Sequence, residues 1–210
     1  MKNTYKIFVT GVGGQGIIRV STIIGEAAMK KGLNAVMSEL HGMAERGGIV
    51  TSEMKIGNAY SALIEKGNAD LLLALEPAEA LRSLEKVGPD TTAIVNSAPT
   101  IPFTVSLGIS SYPEVSQIIA ELKDRILNLF VLDALELARR AGDVISLNIV
   151  MLGAAAAIPG FPVEKELLLA SMKQTFPAST IEVNAAAFES GYETILAEMQ
   201  RERLRNRLRR

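Results

Sequence analysis

A β-rich run at residues 5–10 passes directly into Gly11-Val12-Gly13-Gly14-Gln15-Gly16, after which Ile17, Val20, Ile24, Ala27 and Ala28 recur at helical spacing until Gly32. Strand, glycine turn and helix open the chain in that order. The glycines at 11, 13 and 16 satisfy G-x-G-x-x-G in the context that gives the pattern meaning. Glycine lets the backbone turn tightly and approach a ligand, and the first unpaired N–H groups of the helix attract an anion such as a pyrophosphate or carboxylate. Arg19, one turn into the helix, adds a cation suited to a larger anion. Glu39, 23 residues beyond Gly16 and at the end of the next strand, falls where a ribose-binding acid would stand. A competing reading of the same glycines is that they only permit close packing of helix on strand.

The rest of the chain continues as an α/β protein. Residues 34–38 read as a second strand. Residues 50–56 alternate apolar and polar side chains, Gly57-Asn58 supplies turn residues and 59–64 returns, which predicts a β-hairpin there. Residues 71–75 form a continuous apolar strand of the kind buried on both faces, followed by Glu76-Pro77 and a helix over 78–87. A strand at 92–96, a helix from about 111 to 125, a strand at 129–132 and a helix over 134–141 ending at Gly142 follow. The remainder reads as helices at 144–157, 163–176 and 179–208, with a break at Gly191. We expect one Rossmann-like domain over 1–210, with a mostly parallel sheet flanked by helices, a β-hairpin and a helical C-terminal third.

Composition removes several chemistries. There is no cysteine, so the chain cannot carry an iron-sulfur cluster, a thiol nucleophile, a zinc finger or a disulfide. The single histidine, His41, leaves little room for a multi-histidine metal site. Residues 201–210 hold six arginines and one glutamate, so the first 200 residues carry 16 basic and 22 acidic side chains. An acidic body is not that of a nucleic-acid binder, and the basic tail, with Leu204 and Leu208 at i, i+4, reads as a solvated helix end. Two stretches, 91–113 and 144–163, are uncharged and long enough to raise the question of a membrane span. Pro99, Pro102 and Pro113 disqualify the first, and Asn148 with Pro159-Gly160 the second. The start of the chain reads straight into a strand with no resemblance to a signal peptide, so a cytoplasmic protein is expected.

The second chemistry-bearing segment is Glu39-Leu40-His41-Gly42-Met43-Ala44-Glu45-Arg46-Gly47-Gly48. Arg46 can clamp a carboxylate or phosphate with two hydrogen bonds, and Gly47-Gly48 can bring backbone donors to the same group. His41 reads equally as a proton donor or acceptor and as a loop histidine holding backbone groups at a subunit contact. Asn148, inside an apolar helix, reads as a packing hydrogen-bonder.

These two loops, together with Ala69-Asp70-Leu71-Leu72-Leu73-Ala74-Leu75-Glu76-Pro77, Asn148-Ile149-Val150-Met151-Leu152-Gly153 and Glu182-Val183-Asn184-Ala185-Ala186-Ala187-Phe188, carry a resemblance. Over residues 6–192 the chain resembles the gamma-type module of the 2-oxoacid:ferredoxin oxidoreductases, and within them the indolepyruvate type. The resemblance implies a two-subunit enzyme that converts an arylpyruvate, coenzyme A and oxidised ferredoxin to an aryl-acetyl-CoA, carbon dioxide and reduced ferredoxin. It also implies that thiamine pyrophosphate, magnesium and the [4Fe-4S] clusters lie on a larger partner subunit. Gly11, Gly13, Gly14, Gln15, Gly16, Arg19, Glu39, Arg46, Gly47 and Gly48 are then the candidates to line a cleft toward coenzyme A, with His41 the one catalytic candidate. Two other readings stay open: a free-standing NAD(P)-dependent oxidoreductase with Glu39 on the ribose, and a non-catalytic binding or assembly module of the same fold.

Overall fold

In a computed structural model, which describes residues 3–42, 48–102, 105, 107–109 and 111–208, six strands form one sheet in the order β2-β3-β1-β4-β5-β6. The strands are β1 (Thr4–Val12), β2 (Ala35–His41), β3 (Ile49–Gly57), β4 (Leu71–Ala74), β5 (Thr92–Asn96) and β6 (Asn128–Leu132). β1, β4, β5 and β6 run parallel. β3 is antiparallel to both of its neighbours, β1 and β2. The apolar run of β4 is buried along its whole length, as a strand covered on both faces requires.

The hairpin is present but has different arms from those expected. β3 pairs with β2 across the 42–48 loop, and residues 59–64 form no strand. Two ladders already occupy both edges of β3, so the segment after Gly57 has no edge left to join. Its backbone is satisfied by side chains instead: Ile64 N donates to the Glu53 carboxylate, and Lys86 Nζ donates to Ile64 O at 2.7 Å.

α1 (Ile17–Lys30), α4 (Ala134–Ala141), α5 (Leu147–Ala156), α6 (Lys165–Thr175) and α7 (Ile181–Leu208) build the larger core on one side of the sheet, around Ile7, Val9, Leu73 and Ile94. α2 (Pro77–Arg82) and α3 (Val115–Arg125) close the other side over β4 and β5, around Leu72, Val95, Ile118 and Leu122. α2 starts as its sequence predicts, with Pro77 in the first turn and Glu76 capping the Glu79 N–H at 3.0 Å. α4 ends on Gly142, whose φ of +118° is the left-handed value a C-terminal glycine supplies.

α7 does not break at Gly191. It runs unbroken from Ile181 to Leu208, and Gly191 is the place where it touches α5. A Cβ there would sit 1.9 Å from Val150 O, and one on Gly153 would sit 2.0 Å from Phe188 O. The two glycines let the helices cross with backbone against backbone. Among the described residues, no helix is long and apolar enough to cross a membrane.

Candidate functional site at the glycine loop

The chain reverses its direction of strand addition at β1: β2 and β3 lie on one side of it, β4 to β6 on the other. Crevices outside the carboxyl ends of strands at such a reversal are where open α/β sheets bind ligands. The glycine loop follows β1 into that crevice, and its glycines divide into separate roles. Gly14, at φ +98°, faces open space and serves the turn. Gly16, at φ +80°, is the residue from which α1 starts, and a Cβ on it would lie 2.2 Å from Asn148 Nδ2. A Cβ on Gly11 would lie 2.5 Å from Gln15 Oε1. The glycines at 11 and 16 make room for the side chains of Gln15 and Asn148, so Asn148 proves to be a neighbour of the loop itself.

Gln15 points inward and ties the loop down. Its Oε1 accepts from Val12 N at 2.9 Å, and its Nε2 donates to Leu75 O at 3.0 Å and to Thr100 Oγ1 at 2.9 Å. Leu75 O also accepts from Asn96 Nδ2 at 3.0 Å, while Asn96 Oδ1 accepts from Ala98 N at 3.1 Å and Ala134 N at 3.0 Å. Glu76, 1% exposed, accepts from Tyr112 OH and from Thr100 N at 3.4 Å. Burial and this contact with the Glu76 carboxylate hold the Tyr112 phenol well above its ordinary pKa, so it stays a donor. The ends of β1, β4 and β5 are thus joined in one polar network. Of its members only Gln15 stands among the predicted site residues. Asn96, Thr100 and Tyr112 had no sequence signal beyond a polar residue ending a buried strand and a tyrosine before a proline. Gln15→Ala is expected to lower stability by about 1–2 kcal/mol, from several partly buried hydrogen bonds at about 1 kcal/mol each less partial rehydration. Urea denaturation measures the loss, and faster amide exchange at Val12 locates it.

The open side of the loop is a cleft of about 530 Å³ that brings together Gly13, Gly14, Gly16, Arg19, Thr22, His41 and Thr175. No side chain caps the first turn of α1 and no acid stands in it, so its unpaired N–H groups present positive potential here. The Arg19 guanidinium lies 5.1 Å from the centre of the Phe176 ring, a cation–π contact that steadies an exposed residue. The two glycine loops meet: Gly13 N donates to Gly48 O at 2.8 Å. That bond consumes one donor that the pattern alone would assign to a ligand. Arg46 and Gly47 lie outside the described residues, as do Met43, Ala44 and Glu45.

Glu39 is placed differently from the ribose-binding position its spacing suggested. Because β3 is interposed, Glu39 pairs with Ser52 and Ser52 with Val9, which sets Glu39 two strands away from β1, about 10 Å. It lies instead beside His41, with 3.5 Å between Oε2 and Nε2. His41, and not Glu39, reaches the glycine cleft. A dinucleotide with its pyrophosphate on α1 and its ribose on Glu39 would have to bridge an extra strand, so this geometry does not favour the NAD(P) reading.

For metal and redox groups the donor set is decisive. The chain has no thiolate, and among the described residues no group of three or more histidine, aspartate or glutamate side chains is arranged to hold an ion. An iron-sulfur cluster does not fit a chain that offers no thiolate.

An open, mostly parallel sheet flanked by helices, with a glycine loop at its topological reversal, defines a Rossmann-like α/β protein. The pyruvate ferredoxin/flavodoxin oxidoreductase family matches over residues 6–194, and the chain belongs to that family as a subunit of an oxidoreductase. It is 49% identical over 188 residues, covering 90% of this chain and 96% of the relative, to the indolepyruvate oxidoreductase subunit IorB of Methanothermobacter thermautotrophicus. The protein of the same name from Archaeoglobus fulgidus is 38% identical, with 91% of this chain and 95% of that one covered. Among solved structures, the gamma subunit of a keto/oxoacid ferredoxin oxidoreductase from Geobacter sulfurreducens superposes with a TM-score of 0.69 at 29% identity, covering 92% of this chain and 99% of that one.

Proposed function

We propose that this chain is the small, thiamine-free subunit of an indolepyruvate-type 2-oxoacid:ferredoxin oxidoreductase. With its larger partner it takes part in oxidative decarboxylation of an arylpyruvate: one 2-oxo acid, one coenzyme A and two oxidised ferredoxins give an acyl-CoA, carbon dioxide, two reduced ferredoxins and a proton. Similarity along nearly the whole chain to subunits bearing that name is the observation that carries this reading. A chain without cysteine leaves the [4Fe-4S] clusters to the partner, to which we also assign thiamine pyrophosphate and magnesium. This chain's own contribution is the glycine cleft. There the first turn of α1, Arg19 and the arginine of the second loop, Arg46, hold the anionic end of coenzyme A, its phosphates, and orient the thiol toward the partner. His41 lines the same cleft and takes no assigned proton.

The test is to purify the chain with its native partner and assay arylpyruvate- and coenzyme A-dependent reduction of a viologen dye. Turnover is expected from the complex and none from the small subunit alone. Arg19→Ala and Arg46→Ala are each expected to raise the apparent KM for coenzyme A by about tenfold or more, the loss of one charge-assisted hydrogen bond. If KM and turnover are unchanged in both, the clamp is wrong. Micromolar NAD or NADP binding with hydride transfer by the isolated chain would overturn the subunit reading itself.

A further inference from the structure

α5 is buried from Asn148 to Ala155, and Asn148 is its one polar side chain. The packing hydrogen bond expected of this asparagine is not made. At 7% exposure, its amide has no hydrogen-bond partner among the described residues. The other buried asparagines do pair. Asn96 donates to Leu75 O and accepts from Ala134 N, both at 3.0 Å, and Asn184 Oδ1 accepts from Ser146 Oγ at 2.8 Å. A buried amide left unpaired costs stability that a leucine of similar size would not. Such a group in a native core calls for a partner from outside it.

The amide is aimed at the start of α1. Asn148 Nδ2 lies 2.2 Å from where a Cβ on Gly16 would stand, so only glycine leaves the nitrogen its room. Gly16 is at the same time a wall of the cleft shared by Arg19 and His41. Among the described residues, the polar side-chain atoms sealed from solvent without a partner are Thr10 Oγ1, Ser52 Oγ and Glu79 Oε2. The Asn148 amide, equally unpaired, is not one of these and keeps contact with solvent. The start of α1 brings its unpaired N–H groups, with no side chain capping them and no acid in the first turn. A helix start, a cation one turn on and a free amide N–H from a neighbouring helix thus adjoin. What such a set of donors lacks is an anionic acceptor.

We propose that Asn148 is a binding residue, whose Nδ2–H donates to a phosphate group seated on the first turn of α1. This deepens the reading of the cleft as the site of the coenzyme A phosphates and rests on it. The amide is neutral and fixed by the packing of α5, so it gives the phosphate a direction where Arg19 gives it a counter-charge. Glycine at 16 then serves the ligand as well as the turn, because a Cβ there would displace the amide from the helix start.

Steady-state kinetics of the native complex carrying Asn148→Leu or Asn148→Asp, with thermal melting of the full variant chains, tests it. Leucine keeps the volume and removes the donor. The apparent KM for coenzyme A is expected to rise about tenfold or more, while turnover at saturating coenzyme A and the KM for the 2-oxo acid change far less. Inorganic pyrophosphate, used as a competitor of coenzyme A, is expected to lose affinity by a similar factor. The melting midpoint is expected to rise by about 2–4 °C, since an unpaired amide has left the core. Aspartate keeps the shape and brings an anion of its own to the helix start. Its KM for coenzyme A is expected to rise further than that of the leucine variant, with no loss in midpoint, because an acid is favoured in the first turn of a helix. An unchanged KM for coenzyme A in the folded variants overturns the binding role. So does a lowered midpoint in both variants together with loss of turnover at saturating coenzyme A, the behaviour of a residue that only packs. Either result leaves the proposed function standing, whereas absence of coenzyme A-dependent turnover in the wild-type complex overturns both.

Discussion

Gly191→Ala is expected to lower the stability of the folded chain by about 3 kcal/mol or more, the upper range for forcing an extra methyl into a packed core. The sign is the informative part. Judged as an isolated helix, the change should stabilise, because alanine is favoured over glycine by about 1 kcal/mol in a helix interior. Here α7 lies backbone to backbone on α5, and the new Cβ would be 1.9 Å from Val150 O. Neither a carbonyl nor a helix axis moves aside as a side-chain tip does, so the helices must separate. Separation loosens Phe188 and Ile149, both fully buried at this contact. Gly153→Ala meets Phe188 O at 2.0 Å from the other side and is expected to cost a similar amount. Against a typical stability of about 5–15 kcal/mol, either loss is large. Urea denaturation decides the matter: a midpoint at or above that of the wild type in both variants would mean that the helices do not cross on these glycines.

Gly16→Ala is expected to lower stability by about 2 kcal/mol and the turnover of the assembled enzyme more than tenfold. Two costs combine. The left-handed backbone at φ +80° is unfavourable to any Cβ by about 1–2 kcal/mol. The same Cβ would lie 2.2 Å from Asn148 Nδ2, and that amide belongs to a residue only 7% exposed. The activity loss exceeds the stability loss because Gly16 sets the start of α1, so a shift there misdirects the first-turn N–H groups and Arg19 together. Gly14→Ala is the control. Its φ is +98° but nothing lies within 4 Å of its Cβ, so its stability loss, about 1 kcal/mol, is the backbone cost alone. Combining Gly16→Ala with Asn148→Ala separates the two terms, since the steric part is relieved in the double variant and the backbone part is not. Equal effects of Gly14→Ala and Gly16→Ala on stability would show that contact with Asn148 plays no part.

Much of the fold was legible because its signals are local. β1, the glycine turn and α1 were marked by residues that adjoin in the chain, and so were the buried strand β4 with Glu76-Pro77 behind it and the stop of α4 at Gly142. Residues 59–64 misled because alternation and a Gly-Asn turn indicate a strand that can pair without saying whether an edge is free. β3 had none, being held on both sides by β1 and β2. The placement of Glu39 failed for the same cause: counting residues from Gly16 measures distance along the chain, and the interposed strand is a fact about distance across the sheet.

The candidate site divides along the same line. Sequence alone determined that a glycine turn and a helix start follow β1, that Arg19 and His41 are available near it, and that no iron-sulfur cluster can be held by a chain without cysteine. These depend on residue type and on spacing within a few turns. Tertiary structure alone decided that Gln15 binds Leu75 and Thr100, that Gly13 spends its N–H on Gly48, and that Gly191 crosses α5 instead of breaking α7. Each of these contacts joins groups dozens of residues apart, and a hydrogen bond or close approach of that kind is fixed by which elements pack together, not by the sequence on either side of it.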